Sequence, residues 1–125
     1  MTVRLFSSTS VETTLASGIS STATSMTVAA GTGSSLTNGV TVSAGTQFTV
    51  AIDPDTTSEE IVFITVQSTD TFTISRGEAG SSQIAHSAGA TVRHVLTSDD
   101  LDYFNNAIQS SVALPGTPTI EGGTP

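Results

Sequence analysis

The sequence predicts a small, mainly β domain: an antiparallel β-barrel or sandwich with one C-terminal helix and extended terminal arms. Three observations predict it. Apolar residues alternate with polar ones in short runs rich in Thr, Val, Ile and Phe; clusters of turn-forming residues separate these runs without a helical pattern between them; and one well-capped helix start follows the last run. A chain of 125 residues supports one core and not two. The expected organisation is an N-terminal arm at 1–10, a β-domain at 11–97, a helix at 98–112 and a Pro/Gly-rich arm at 113–125.

Alternation marks the strands at Met26 and Val28, at Phe48, Val50 and Ile52, at Ile61, Phe63 and Thr65, at Phe72 and Ile74, and at Val92, His94 and Leu96. Turns fall at Gly31-Thr32-Gly33, Asn38-Gly39, Asp53-Pro54-Asp55, Ser68-Thr69-Asp70 and from Gly77 to Gly80, where glycine supplies positive φ and Asx side chains close the chain on itself. Strands near 59–66 and 71–76 should pair as a hairpin across Ser68-Thr69-Asp70. The expected core is Met26, Val28, Phe48, Val50, Ile61, Phe63, Phe72, Ile74, Val92 and Leu101.

The helix start is specified on several levels. Thr97 fits the N-cap, Asp100 the third helical position of a capping box, and Leu96 with Leu101 a hydrophobic staple. Asp99, Asp100 and Asp102 favour the positive end of the helix dipole. Leu101, Phe104, Ile108 and Val112 share one face, and that stripe must cover either the domain's own sheet or a neighbouring subunit. The last 13 residues, ALPGTPTIEGGTP, hold three of the four prolines and three glycines, which predicts an arm with little regular structure.

Composition excludes several functions. Charged residues are 11% of the chain, and about a third is Ser or Thr. A mean hydropathy of +0.14 argues against intrinsic disorder. The cations are Arg4, Arg76 and Arg93, against eleven carboxylates, for a net charge of -8. Nucleic acid and anionic membrane surfaces are therefore unexpected partners, because both demand clustered Lys and Arg. No apolar run approaches the roughly 18–20 residues of a membrane span. MTVRLFSSTS lacks the apolar segment of a signal peptide, so synthesis in the cytoplasm of the producing cell is expected. Without cysteine there is no disulfide framework, thiolate chemistry or cysteine-based metal site.

The densest acidic cluster is Asp53, Asp55, Glu59 and Glu60. Asp53, Asp55 and Glu59 are weak candidates for a Ca²⁺ site, but the spacing fails the EF-hand pattern, and solvated carboxylates in a turn explain the cluster better. His86 and His94 lack the further ligands of a zinc site. His86 is expected to fix the Gly-rich loop through a ring hydrogen bond, and His94 to alternate within a strand. No Gly-x-Ser-x-Gly elbow or oxyanion loop accompanies the abundant hydroxyls, so no enzyme activity and no cofactor are expected. Arg76 ends a strand and offers one of few cationic partners to the carboxylates, within the chain or across a subunit contact.

Residues 71–101, TFTISRGEAGSSQIAHSAGATVRHVLTSDDL, carry a resemblance. Together with SGISSTATSMTVAAGTG (17–33) and FTVAIDPDTTSEEIVFITV (48–66), they resemble a small β-domain of virion proteins of tailed bacteriophages. In that family an apolar strand leads to T-R-G, then a loop ending A-H-x-x-G-A-x-V, then Thr/Ser-Asp-Leu. Here Ser75 precedes Arg76-Gly77, and His86, Gly89, Ala90, Val92 and Leu96 complete the order, so the resemblance spans roughly 11–101.

It implies a virion structural protein: a capsid decoration or minor capsid protein, with a minor tail or neck component as the close alternative. A carbohydrate-binding or host-adhesion module is the alternative from another class, disfavoured by one Tyr and no Trp. The partners expected are further copies of the chain, with a trimer favoured, and the major capsid protein or tail proteins. Interface positions expected are Val3, Leu5, Phe6, Arg76, Phe104, Ile108, Leu114 and Ile120.

Overall fold

The computed structural model describes residues 2–9 and 11–112. The chain divides into two units, the first spanning Met1–Val95 and the second beginning at Leu96. The first holds β1 (Val3–Leu5), β2 (Thr13–Thr14), β3 (Ser25–Thr27), a single helical turn α1 (Gly33–Leu36), β4 (Thr46–Ile52), β5 (Glu60–Ser68), β6 (Thr71–Glu78) and β7 (Thr91–His94). The second holds α2 (Ser98–Val112). The fold is mainly β, as the alternation predicts.

All seven strands belong to one sheet. Its path runs β2-β7-β4-β5-β6-β3 with antiparallel neighbours, and β1 joins β4 in parallel. One edge of β4 is shared: residues 46–48 pair with β1 and residues 50–52 with β7. The two ends of the path also meet. Leu15 bridges Val28, Ala16 N–H donates to the Thr27 carbonyl at 2.8 Å, and Ala29 N–H donates to that of Thr14 at 2.9 Å. This stitch leaves few open edges and curls the sheet into a barrel-like wall.

The inner face carries Phe48, Val50 and Ile52 from β4, Val62 and Ile64 from β5, Phe72 and Ile74 from β6, and Val92 from β7. Leu15, Ile19, Met26, Val28, Leu36 and Val42 fill the rest of the core. Two expected core positions differ: Ile61 is only partly buried and Leu101 is 50% exposed, whereas Phe63 is buried as expected but lies outside the central cluster. Residues 61–64 are an unbroken apolar run, so alternation alone cannot give their phase. Pairing with β4 decides it: Val62 stands opposite Val50 and Ile64 opposite Phe48, and cross-strand partners share a face. Phe63 takes the opposite face, where the Arg4 guanidinium lies 5.1 Å from its ring centre.

Residues 1–10, expected as an arm, thus contribute a strand. Leu5 packs against the core and is not left for a neighbour, whereas Val3 and Phe6 remain 54% and 43% exposed. Ser7 N–H donates to His94 Nε2 at 3.3 Å, while His94 Nδ1 donates to the Thr49 carbonyl at 2.7 Å. The same imidazole stacks on Phe48 with ring centres 4.1 Å apart, so His94 is a core side chain that also ties down the N-terminal segment.

The β5–β6 hairpin turns at Thr69 and Asp70, with Thr69 at φ +57°. Asp70 accepts hydrogen bonds from Gly31 N–H and Gly33 N–H, both at 2.9 Å. These two bonds, Gly31 first, hold its carboxyl below the ordinary Asp range. A side chain at position 33 would place Cβ 2.2 Å from the Thr69 carbonyl oxygen, so only glycine allows the approach.

At the start of α2, Asp100 N–H donates to Thr97 Oγ1 at 3.2 Å and Thr97 N–H to Asp100 Oδ2 at 3.1 Å. This is the expected capping box, with Asp in place of Glu. Leu96, Leu101, Phe104 and Ile108 are 60%, 50%, 56% and 44% exposed. Leu114 and Ile120 lie outside the described residues.

Phe72→Ala should destabilise the protein by about 3–5 kcal/mol in urea unfolding, since it removes a fully buried ring. Phe104→Ala, at an exposed site, should change stability by less than about 0.5 kcal/mol. Gly33→Ala should lower the melting temperature through its clash with the hairpin turn.

Candidate functional site

Two strands carry a charge into the core at the same end of the sheet. Glu60 begins β5 in phase with Val62 and Ile64, and Arg76 follows Phe72 and Ile74 on β6, so alternation turns both inward. Their side chains are 0% and 4% exposed. Arg76 Nε donates to Glu60 Oε2 at 2.8 Å and Nη2 to Oε1 at 2.9 Å, a two-pronged pair that matches fork to carboxylate.

A bulge completes the arrangement. Phe63 pairs with Ser75 but Ile61 pairs with Glu78, so β6 carries one extra residue here. Gly77 takes up the irregularity at φ +59°, and its N–H, turned out of the ladder, donates to Glu60 Oε2 at 2.9 Å. Glu60 Oε1 also accepts from Ile84 N–H at 3.2 Å and from His86 Nε2 at 2.9 Å. His86 Nδ1 stands 2.8 Å from Asp53 Oδ2, so the ring spans two carboxylates.

The remaining Arg76 donors hold loops. Nη1 donates to the carbonyls of Ser20 and Ala23 at 2.8 and 2.9 Å, and Nη2 also donates to that of Ile84. The backbone of His86 pairs with Ile19. One buried cluster therefore connects β5, β6 and the Asp53 turn that follows β4 with the loops around residues 20 and 84.

Burial works against ionisation of Glu60, but the donors outweigh it. Arg76, then His86, Gly77 and Ile84, lower its pKa from 4.5 to about 2. A carboxyl whose pKa is depressed by folding stabilises the fold above its unfolded pKa and loses that contribution as pH falls toward the folded value.

The expected sites fare unequally. Arg76, expected at an interface, is spent inside its own chain, because Glu60 leaves a buried charge that only an internal cation can match. Glu60, expected among solvated carboxylates, is fully buried. The weak Ca²⁺ candidates separate: Asp53 turns to His86, Asp55 pairs with Arg93 at 3.2 Å, and Glu59 faces solvent. Among the described residues no three His, Asp or Glu side chains are placed to hold a metal ion. The left-handed φ of Asp53 and Asp55, +54° and +64°, belongs to the Asp-Pro-Asp turn. His86 does fix its loop, as expected, but its ring bonds go to carboxylates on the sheet side. No local signal marked Glu60: it shares the phase of Val62 and Ile64, which pairing with β4 sets.

This geometry holds two loops against the sheet through one buried carboxylate. Both ring nitrogens of His86 are engaged by carboxylates, so among the described residues it activates no hydroxyl. Arg76→Ala should leave Glu60 buried without its counter-ion and cost about 3–5 kcal/mol. Wild-type stability, followed by urea unfolding across pH, should decline as pH falls from about 4.5 toward about 2. Glu60→Gln should be less stable at neutral pH and show a flatter dependence over that window. No protein-family model and no curated protein sequence matches this chain.

Proposed function

We propose that this chain is a non-enzymatic structural protein of a tailed-phage virion, a capsid decoration or minor capsid protein that acts in many copies on the particle surface. The observation that carries this reading is the contrast between a sealed interior and an apolar exterior row. The buried polar groups bond to one another and hold the fold, while Leu101, Phe104 and Ile108 line one face of α2 in the open. Association is the activity such a surface supports. The resemblance supports it too, since its Arg-Gly and Ala-His elements are the ones that close on Glu60 and are explained by the demands of folding. The partners are further copies of the chain, with a trimer favoured, and the protein of the capsid shell.

Mass spectrometry and imaging of purified particles test the reading. The chain should be present in many copies over the shell. A chain confined to the tail or neck, or absent from particles, would overturn the decoration role. Deleting the residues after Leu114 should leave the melting temperature unchanged and reduce incorporation into particles.

A further inference from the structure

We propose that the cavity between α1 and the turn of the β5–β6 hairpin is a binding site for a neutral, hydroxyl-rich ligand, a single sugar ring of an uncharged glycan. The site goes beyond the structural role proposed above and does not depend on it.

The cavity holds about 240 Å³ between two walls. One wall is α1 with the segment that follows it, through Ser34, Thr37, Val40 and Thr41. The other is the end of β5 and its turn, through Gln67 and Thr69.

Both walls are fixed within the fold. Asp70, in the turn, clasps Gly31 N–H and Gly33 N–H, and Gly33 lies against the Thr69 carbonyl, so α1 is pinned to the hairpin. Gly39 N–H donates to the Ser34 carbonyl at 2.9 Å and Val40 N–H to that of Thr37 at 2.9 Å. Gln67 N–H donates to the Val42 carbonyl at 3.0 Å, which holds the segment after α1 against β5. A preformed site binds without the entropic cost of ordering its walls.

The lining selects the chemistry. Thr37 Oγ1 donates to Gln67 Oε1 at 3.3 Å, and Gln67 Nε2 donates to the Thr69 carbonyl at 3.2 Å. The Gln67 amide is thereby oriented, with one N–H and one acceptor position left over. The hydroxyls of Ser34, Thr41 and Thr69 bond to no other described residue, and each can both donate and accept.

Two ligand classes fit poorly. Among the described residues no charged side chain lines the cavity, so an ionic ligand would enter without a counter-charge, in a chain whose own net charge is -8. An apolar ligand would meet only Val40 and leave the hydroxyls and the amide unpaired. What remains is an uncharged ligand that donates and accepts at several points. Drug-sized ligands occupy roughly 300–1,000 Å³, so this smaller space limits the occupant to one ring. No aromatic side chain lines the cavity to stack on that ring, which puts the affinity of one site in the millimolar range. Many copies on one surface multiply such weak sites.

Chemical-shift titration of the full-length protein with glucose, galactose and N-acetylglucosamine tests the proposal. At least one sugar should give saturable shifts confined to residues 34–41 and 67–69, and glucuronate should bind more weakly than glucose. Thr41→Val keeps the shape of an exposed side chain while removing its hydroxyl, and should weaken binding about three- to tenfold. Ser34→Leu, also at an exposed position, should fill the cavity and abolish the shifts.

The proposal is overturned by shifts that fail to saturate with all three sugars, or that map elsewhere on the surface. Wild-type affinity in Thr41→Val, persistence of the shifts in Ser34→Leu, or tighter binding of glucuronate than of glucose would overturn it as well. None of these results bears on the virion reading, which the composition of particles decides.

Discussion

The Glu60 carboxylate is the constraint on which the first unit depends. A charged carboxylate with no exposed surface costs several kcal/mol unless its lone pairs are met. Five donors meet it: Arg76 Nε and Nη2, the backbone N–H groups of Gly77 and Ile84, and His86 Nε2. Each requirement propagates outward. Gly77 can donate only because a bulge takes it out of the ladder, and the bulge needs a residue at ease with positive φ. Ile84 can donate only if its loop folds back over the end of the sheet. Arg76, placed for Glu60, reaches the carbonyls of Ser20 and Ala23 with Nη1, so a second loop is fixed by the same side chain. These loops contain little regular pairing beyond the bridge of Ile19 with His86, and the buried charge supplies the order that a ladder would otherwise give them.

Much of the fold was legible because strand alternation and turn chemistry are local signals. Met26, Val28, Phe48, Val50, Phe72, Ile74 and Val92 lie inside where their period placed them, and Thr97 with Asp100 caps α2 as their spacing required. What was not legible depended on pairing. In the run of residues 61–64 the inward set is chosen by register with β4, which no local pattern contains. The parallel addition of β1 to β4 is also a non-local choice, made by Leu5 reaching the core and Arg4 covering Phe63. The polar cluster was half visible. Arg76-Gly77 and His86 stood out in the sequence, but their common partner sat inside an acidic stretch whose other members face the turn or solvent.

That cluster also explains why Arg76-Gly77 and His86 stand where they do in the sequence. Arg76 and His86 are ten positions apart and meet on one carboxylate. Any chain using this arrangement would need an Arg followed by a flexible residue, a loop of sufficient length, and a His returning to the sheet. A pattern of this kind reports a solution to a folding problem.

On the surface the decisive quantity is charge. Eleven carboxylates face three arginines, and Arg76 is withdrawn into the core while Arg93 is shared by Glu12 and Asp55. Solvent-exposed pairs such as those of Arg93 contribute little to stability, so the acidic excess is not explained by folding. Its consequence is a rule for association. Like-charged copies can touch only through neutral or screened patches such as the exposed Val3 and Phe6, whereas an oppositely charged partner is drawn in from a distance and oriented before contact.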